Sequence, residues 1–519
     1  MIGLFGWHTS TAIAGDIGAA SQPASRTVGS QQGVLVLDDF EAGLNVALRA
    51  DNAKLAVSPD APPGGGKACL AIRITNPIKK TAVLLPLPAG TDMSKYASLR
   101  AWVRLDGPGK TAAIRWLALD ENKNVIRQQR FQRAKDSQWA SIDWPLAMWR
   151  WGDKRIGEWA DVRYLALMVE EPAERICLDD IALSPPTATM SADDWLTKLA
   201  FPDGAACEVN QDGFRLACDA PEMSAADLRY LAGQMSLIRK WVRRTIGQAD
   251  KPVLASQPIT FLIFRDNKNW QAFYDRLGQA WDVNIPLPPV GGYTIEDISA
   301  ATYDPKQGRH RPVYLHEAVH AILARQARLP TGNPDSEWLH EGLANYLQIC
   351  LQPESADLAA LAANFRNPID SRSFIRPLRE IVGKKVSPRH YAQLAVLTAF
   401  LIDKHPEWLQ KFIAGSADGK PPADTLKECG TTLDDMEAEW LTWCRGRFAT
   451  TQPTTAPAIF GKPVEWSPAS NPAASGLGRT ANFGRQFFTF NASLTYARFV
   501  TILCGLSPDY VCTRECHWL

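Results

Sequence analysis

Two histidines four residues apart, with a glutamate directly after the first, constrain this chain more than any other feature. In the segment His316-Glu317-Ala318-Val319-His320, a helical backbone would place both imidazoles on one face, because residues i and i+4 of a helix share a face. Two ring nitrogens on one face can bind one metal ion. Glu317 flanks that face, where its carboxylate can take a proton from a metal-bound water. The segment therefore predicts a helix that carries two metal ligands and a general base.

A tetrahedral catalytic zinc site needs a third protein ligand and leaves its fourth position to water. Glu341, in Trp338-Leu339-His340-Glu341-Gly342-Leu343-Ala344, follows His320 by 21 residues. That length lets one helix end, a turn form and a second helix begin, so Glu341 is the predicted third ligand. Asp335, in a Gly-Asn-Pro-Asp loop expected ahead of the second helix, is the alternative. His340 is expected to point away from the metal, because neighbours on a helix do not share a face.

The flanks of the motif predict a buried helix. Val313-Tyr314-Leu315 precedes the motif and Ala321-Ile322-Leu323 follows it. Two histidines and a glutamate on a buried helix are costly to remove from water unless they have a partner. A bound metal ion offsets that cost. The alternative is a solvated helix face whose histidines bind nothing.

Both segments resemble those of the gluzincin zinc metallopeptidases, the thermolysin-like and aminopeptidase-like clan, and most closely its peptidase MA-like members. The resemblance covers about residues 190–450, where Ile259 to Phe264 and Trp270 to Phe273 resemble the strand and helix that open such domains. Gly291 to Thr294 resembles the approach to the strand that borders their cleft. It implies one Zn²⁺ per chain, a peptide or protein substrate, and Glu317 as general base. The Gly-Ala-Met-Glu-Asn motif, by which aminopeptidases hold a free amino terminus, is absent, which favours an endopeptidase or a peptidase of unknown cleavage mode over an aminopeptidase.

The resemblance also implies a donor for the oxyanion of the tetrahedral intermediate, which zinc only partly neutralises. In the aminopeptidase-like branch, this donor is a tyrosine that starts a later helix. The segment His390-Tyr391-Ala392-Gln393-Leu394-Ala395 resembles that position, so Tyr391 is the catalytic candidate and His390 the second choice. Packing at a helix start is the alternative role for Tyr391. Asn345, one turn after Glu341, is the candidate to support a ligand histidine.

Residues 33–185 form a separate block of short runs in which apolar and polar residues alternate, with Gly, Pro, Asp and Asn turns between them. This pattern predicts an all-β sandwich. Its opening Asp38-Asp39-Phe40-Glu41 and its closing Asp179-Asp180-Ile181 resemble the galactose-binding-like jelly rolls found as carbohydrate-binding modules. The predicted fold is therefore multidomain, with an all-β jelly-roll sandwich followed by an α+β, mainly helical gluzincin-type domain.

Two tryptophans of the sandwich are candidates for sugar binding. Trp149 and Trp151 look like loop residues, and exposed aromatic rings can stack on sugars, whereas Trp102 and Trp116 lie in alternating strands and are expected in the core. Carbohydrate or glycoprotein is accordingly the second predicted partner. The acidic pairs at both ends of the block are an alternative site for a structural Ca²⁺ ion, since hard carboxylate oxygens suit it.

Composition excludes several classes of protein. A chain of 519 residues is expected to form two or three domains. The net charge of +1 gives no electrostatic case for nucleic acid, and no apolar run approaches the ~18 residues of a membrane helix. The ten cysteines show no Cys-x-x-Cys spacing. Pairing of Cys207 with Cys218, pairing of Cys429 with Cys444, and free thiols all stay open.

The ends of the chain differ in composition from its middle. Residues 1–32 are predicted to be a signal remnant and linker, which favours a secreted or cell-envelope protein over a cytoplasmic one although the segment lacks a basic start. Residues 451–519 are predicted to be a low-complexity linker and a disordered tail. A reading-frame error there is an alternative, as is a second zinc site built from Cys504, Cys512, Cys516 and His517.

A zinc peptidase with an appended β-sandwich is the predicted function. The alternatives are a catalytically inactive, peptidase-like protein and a glycan-binding surface protein that acts through the sandwich. Neither the substrate preference nor the oligomeric state follows from the sequence.

Overall fold

The computed structural model describes residues 33–64, 66–76, 79–107, 111–152, 157–170, 174–186, 192–247, 258–287, 291–356, 358–366 and 375–448. The predictions for the signal remnant at 1–32, the tail at 451–519 and the second zinc cluster lie outside these residues. No helix within the described ranges is long and apolar enough to cross a membrane.

The described part of the N-terminal region forms two antiparallel six-stranded sheets. One has the order β3-β4-β12-β6-β9, with β1 beside β12, and the other has the order β10-β8-β7-β11-β5-β2. Apolar side chains of both sheets, among them Ile72, Val103, Ile114, Leu167 and Leu178, form one core. The prediction of an N-terminal all-β sandwich is confirmed. The strands are β1 (Leu35–Asp38), β2 (Arg49–Asp51), β3 (Ala53–Ser58), β4 (Cys69–Ile74), β5 (Thr81–Pro86), β6 (Ser98–Asp106), β7 (Thr111–Leu119), β8 (Val125–Ala134), β9 (Ala140–Pro145), β10 (Arg150–Trp151), β11 (Tyr164–Val169) and β12 (Arg175–Ser184).

Among the described residues of the region that follows, a five-stranded mixed sheet and ten α-helices are found. The sheet order is β13-β14-β15-β17-β16, in which β14, β15 and β17 run parallel and the two edge strands run antiparallel to their neighbours. The predicted mainly helical region is therefore confirmed. Its strands are β13 (Cys207–Gln211), β14 (Phe214–Cys218), β15 (Ile259–Phe264), β16 (Gly292–Ile295) and β17 (Ile298–Thr302). Its helices are α1 (Ala192–Ala200), α2 (Ala225–Thr245), α3 (Asn267–Trp281), α4 (Val313–Ala327), α5 (Pro334–Leu351), α6 (Leu358–Arg366), α7 (Tyr391–Lys404), α8 (Pro406–Ala417), α9 (Pro422–Glu428) and α10 (Leu433–Phe448).

Local sequence determines where α4 and α5 begin and end. The α4 helix stops at Arg328, whose left-handed conformation (φ 55°) ends the helical hydrogen bonding. Asn333 caps α5 by accepting a hydrogen bond from the Asp335 N–H at 3.0 Å, and Pro334 occupies the first helical position. Asp335 therefore lies in the first turn of α5, and its predicted loop position is wrong.

A glycine allows α5 and α7 to pack closely. A Cβ atom on Gly342 would lie 2.5 Å from Thr398 Oγ1 and 3.1 Å from the Leu394 carbonyl oxygen. Any side chain at this position would therefore push the two helices apart. The close approach brings Tyr391, the first residue of α7, toward Glu341 on α5.

Candidate metal centre

Three side chains from two helices converge on one point. The Nε2 atoms of His316 and His320 on α4 lie 3.1 Å apart. On α5, Glu341 Oε2 lies 3.3 Å from His316 Nε2, and Glu341 Oε1 lies 3.6 Å from His320 Nε2. Tetrahedral zinc with bonds of about 2.0–2.2 Å places its ligand atoms about 3.3–3.6 Å apart. The separations of 3.1–3.6 Å, in which each imidazole faces a different oxygen of Glu341, are therefore close to those around one tetrahedral ion.

The three residues predicted as ligands are thus brought together. Within the described ranges, they are the one group of three His, Cys, Asp or Glu residues whose ligand atoms all lie within 4.8 Å of one another. Asp335, the alternative third ligand, does not belong to this group. Glu341 Oε2 is buried without a hydrogen-bond donor of good geometry, which is the position of a carboxylate oxygen that has a cation as its partner.

The charge states of Glu341 and His320 suit a cation, whereas the pKa of His316 is raised. Burial lowers the pKa of His316, but the hydrogen bond to Glu341 and the nearby carboxylate charges together outweigh burial, so a metal has to displace a proton there. Burial alone would raise the pKa of Glu341, but His320, His316 and Tyr391 outweigh it and lower that pKa to about 2. Burial lowers the pKa of His320 to about 3. Near neutral pH, Glu341 is therefore ionised and His320 neutral, which are the forms that ligate metals.

His340 is not one of the three candidate ligands, in agreement with the prediction that it points away from the metal, but it contacts the candidate ligand His320 on the ring edge opposite Glu341. Its Nδ1 lies 3.3 Å from Nδ1 of His320, and its Nε2 lies 3.1 Å from the carbonyl oxygen of Leu329. The rule that neighbouring residues of a helix lie on different faces describes only where each side chain leaves the backbone. An imidazole, however, has a second nitrogen on its far edge. His320 turns Nε2 toward Glu341 and Nδ1 toward His340.

These contacts fix the tautomers of both histidines. A carbonyl oxygen only accepts hydrogen bonds, so Nε2 of His340 carries the proton that Leu329 accepts. Burial lowers the pKa of His340 to about 4, which keeps the ring neutral and its Nδ1 an acceptor. His320 must then donate from Nδ1. This leaves the Nε2 lone pair of His320 free to bind a metal.

Glu317 lies beside the cluster and is held by the edge hairpin β16–β17. The Thr294 hydroxyl donates to Glu317 Oε2 at 2.7 Å, and the Ser299 hydroxyl donates to the Glu317 carbonyl oxygen at 2.8 Å. A Cβ atom on Gly292 would lie 3.1 Å from Glu317 Oε1, so the glycine leaves room for the carboxylate. Burial raises the pKa of Glu317 to about 7.

Tyr391 reaches the cluster from α7. Its ring stacks on that of His316, with centroids 5.7 Å apart and planes 28° from parallel, and a hydrogen bond links its side chain to Glu341. His390, the second choice, has its two ring nitrogens occupied by the Ser387 N–H at 3.4 Å and by Arg389 Nε at 3.0 Å. The structure therefore places the tyrosine at the site, and its catalytic role stays a prediction.

Asn345 does not support a ligand histidine as predicted. Its side-chain amide donates to the carbonyl oxygen of Glu341 at 2.8 Å, one turn back along its own helix. It therefore stabilises the helical turn that carries the third ligand. Sequence reasoning missed His340, Thr294 and Ser299, which make the contacts to the predicted residues.

The tryptophans proposed for sugar stacking are not exposed. Trp149 is 3% exposed and packs edge-on against Trp159, while Trp151 is 5% exposed and contacts Ala324 on α4. The prediction of exposure is therefore wrong: Trp149 belongs to the core of the sandwich, and Trp151 on β10 is covered by α4. Neither ring offers a free face to a sugar.

The acidic pairs of the sandwich do not form a group of three side-chain ligands. Asp179 and Asp180 lie where the pairing of β12 with β6 shifts register, and Asp180 is left-handed (φ 48°). Burial, with the nearby charges of Asp180, Glu41 and Asp39, raises the pKa of Asp179 to about 7. The calcium prediction gains no support from this arrangement.

The predicted cysteine pairs are free thiols. Cys207 and Cys218 lie directly opposite each other across β13 and β14, as a hairpin bridge would need, but both are unbridged. Cys429 and Cys444 are also unbridged. The sequence left both disulfide pairing and free thiols open, and in the structure these four cysteines are free thiols.

Comparisons with known proteins give the sandwich distant counterparts. No protein-family model matches the sequence, and no curated protein is significantly similar to it. A family 11 carbohydrate-binding module from Clostridium thermocellum, in complex with a beta-1,3-1,4-mixed-linked tetrasaccharide, aligns over 30% of this chain and 98% of its own, with 17% identity and a TM-score of 0.25. A family 30 carbohydrate-binding module aligns over 31% and 92%, with 12% identity and a TM-score of 0.26. An exo-beta-agarase aligns over 39% of this chain and 31% of its own, with 13% identity and a TM-score of 0.26. Sequence identities and TM-scores this low assign neither a family nor a ligand to this chain.

Proposed function

We propose that this chain is a zinc-dependent peptidase that hydrolyses internal peptide bonds. The observation that carries the proposal is the convergence of His316, His320 and Glu341, whose nearest nitrogen and oxygen atoms lie 3.1, 3.3 and 3.6 Å apart, close to the spacing around one tetrahedral ion. Two imidazoles and one carboxylate form the ligand set of many catalytic zinc sites, in which the fourth position belongs to water or substrate.

Each group at the site has a part in the proposed reaction. Zinc at this centre would polarise a carbonyl oxygen and lower the pKa of a water molecule. Glu317 accepts the proton of the attacking water and passes it to the departing amine. Thr294 holds one oxygen of that carboxylate and so sets its orientation. Tyr391 donates to the oxygen on which negative charge develops.

The proposal is tested by Glu317→Gln, since an amide cannot accept the proton. The variant is expected to keep wild-type zinc content, measured by elemental analysis, and to lose cleavage of fluorescence-quenched casein. Glu354→Gln, an exposed glutamate outside the site, is the matched control and should cleave as wild type does. Turnover above a few percent of wild type in a zinc-loaded Glu317→Gln protein would remove Glu317 from the mechanism.

Loss of the metal from a ligand variant tests the centre itself. The double variant His316→Ala, Glu341→Ala is expected to lose stoichiometric zinc, because one remaining imidazole cannot hold the ion. A double variant that retains one zinc per chain would show that the ion is bound elsewhere. A wild-type protein that holds zinc and cleaves no peptide would favour the inactive, peptidase-like alternative.

Glycan binding through the sandwich is the second candidate, and one cavity favours it. The cavity, of about 390 Å³, lies where β8 and β9 meet α3, and its walls combine aromatic rings with amide and charged groups, including Phe131, Trp144, Gln129, Gln132, Arg130 and Asp143. Sugars are bound by such mixtures of aromatic faces and polar side chains. Because Trp149 and Trp151 are buried, the cavity takes their place as the candidate site.

Affinity electrophoresis in gels that contain mixed-linkage β-1,3-1,4-glucan tests this second candidate. Retardation that Phe131→Ala abolishes, and that Trp139→Ala leaves intact, would support the cavity. Unretarded migration of the wild-type protein in this glucan and in cellulose, xylan and agarose would count against it.

A further inference from the structure

The sandwich and the metal centre meet at one turn of the chain. Glu296 and Asp297 join β16 to β17, and the last pair of that hairpin is Ile295 with Ile298. Glu296 is left-handed (φ 57°), a conformation that costs a non-glycine residue free energy and needs support from its surroundings. That support comes from both regions of the protein.

Groups from the sandwich hold this turn. Arg150 Nε lies 3.4 Å from Glu296 Oε1, and the main-chain N–H of Trp151 donates to the same carboxylate. From the helical region, Thr331 Oγ1 accepts a hydrogen bond from the Glu296 N–H at 3.0 Å, and Arg325 pairs with Asp297. The turn is therefore fixed from both sides.

Trp151 is the central residue of this contact. Its ring packs on Ala324 of α4, with the guanidinium of Arg127 5.2 Å and that of Arg325 6.0 Å from the ring centre. On its sandwich side, Gln128 donates to the Trp151 carbonyl oxygen at 2.9 Å. The buried ring is thus contacted by cations from both regions, and its backbone is held as well, which ties the sandwich to α4.

The charges at this contact also argue against a loosely tethered module. Arg127, Arg150 and Arg325 face the carboxylates of Glu296 and Asp297, and all five are buried or half-buried. Burying charged groups is favourable only when their partners are held in good geometry. Domain contacts within a chain are otherwise polar and mobile.

The same hairpin carries both hydroxyls that hold Glu317. Thr294 lies two residues before Glu296, Ser299 lies two residues after Asp297, and the two face each other across the strands. At about 3.3 Å per residue, two residues of strand span about 7 Å. Only two residues of paired strand therefore separate the turn that the sandwich holds from Thr294 and Ser299, which contact Glu317.

We propose that the β-sandwich positions Glu317 through this hairpin. Trp151 and Arg150 fix the Glu296–Asp297 turn, the turn fixes the strands, and the strands set Thr294 and Ser299 against Glu317. Trp151 and Arg150 are positioning residues that act without touching the substrate. The consequence for catalysis rests on the proposed peptidase function, whereas the mechanical link does not.

Amide hydrogen exchange of the full-length protein tests the mechanical link. In Trp151→Ala, amides of residues 292–302 are expected to exchange at least tenfold faster than in wild type, while those of 98–106 in the sandwich and 225–245 in α2 are unchanged. Arg150→Gln, a milder change, should show the same pattern with a smaller increase. Trp139→Ala is the matched control, because Trp139 packs within the sandwich against Cys69, Ala71 and Cys177.

Kinetics on zinc-loaded protein test the catalytic consequence. Trp151→Ala should lower kcat at least tenfold, with KM within about twofold and zinc content unchanged, and Trp151→Phe should restore most of the activity. Unchanged exchange at 292–302 in folded Trp151→Ala and Arg150→Gln proteins would overturn the inference, as would faster exchange with normal kcat. A wild-type protein that binds zinc but cleaves nothing would refute the proposed function alone, and the exchange result would still decide the link.

Discussion

Replacing His340 with phenylalanine is expected to weaken zinc binding although no ligand is removed. His320 donates from Nδ1 to His340 Nδ1 at 3.3 Å, and this bond keeps the Nε2 lone pair available. Phenylalanine keeps a planar ring but has no acceptor, so the Nδ1–H of His320 becomes a buried donor without a partner. The ring can then move its proton to Nε2, the atom that would bind the metal.

The size of this effect follows from the hydrogen bond that the substitution removes. Removal of a hydrogen-bond partner of a metal ligand typically costs 10–100-fold in affinity, or about 1.4–2.8 kcal/mol at about 1.4 kcal/mol per tenfold. A buried donor left without its acceptor costs about 1–3 kcal/mol, which is the same range. His340→Asn, whose side-chain oxygen can replace Nδ1 as acceptor, should lose much less affinity.

Competition with a chelating indicator at fixed pH measures the zinc dissociation constant of each variant. His310→Phe, at an exposed histidine outside the cluster, is the control for a generic effect of the substitution. If folded His340→Phe protein binds zinc within twofold of wild type, or if His340→Asn is as weak as His340→Phe, the tautomer argument is refuted.

Three further predictions concern the reaction, the metal and the sandwich. Tyr391→Phe is expected to lower kcat about 10²–10³-fold with little change in KM, since the hydroxyl acts on charge that develops in the transition state; normal turnover would leave Tyr391 a packing residue. Removal of zinc by a chelator should lower the melting temperature, because an ion at 1,000 times its Kd stabilises the folded state by about 4 kcal/mol. The pKa of Asp179 is raised to about 7 in the folded state, above its unfolded value, so its contribution to stability is full at low pH and is lost as pH rises toward 7. Asp179→Asn should therefore flatten the fall in melting temperature between about pH 4 and pH 7, and an unchanged pH profile would refute the assignment.

The ligands could be predicted because they depend on regular geometry alone. A spacing of four residues on a helix brings the Nε2 atoms of His316 and His320 within 3.1 Å of each other. This proximity follows from helix geometry and needs no information about the rest of the fold. Capping chemistry likewise gives helix limits, as Asn333 and Pro334 do at the start of α5. The α3 helix ends at Trp281, where the left-handed Asp282 (φ 52°) stops it.

Interactions that depend on distant packing could not be predicted in this way. His340 contacts His320 through the second ring nitrogen of that histidine. Rules based on Cα positions do not describe which ring nitrogen faces which neighbour. The sequence around Trp151 is typical of a loop, and its burial depends on contact with Ala324 of α4, which is distant in the sequence. Thr294 and Ser299 gave a weak signal, as two hydroxyl residues placed symmetrically about the Glu296–Asp297 turn of an otherwise apolar hairpin.

The proposed function requires a catalytic metal site rather than a structural one, and the residues around the cluster suit the catalytic kind. A structural zinc site is closed by four protein ligands, whereas a catalytic site keeps one position open. Within the described ranges the cluster has three ligands. Glu317 stands beside it, and one of its oxygens accepts a hydrogen bond from Thr294. A buried carboxylate next to the negative charge of Glu341 destabilises the fold, since both effects oppose its ionisation. A purely structural centre gains nothing from such a residue, and a hydrolytic one needs it as a base.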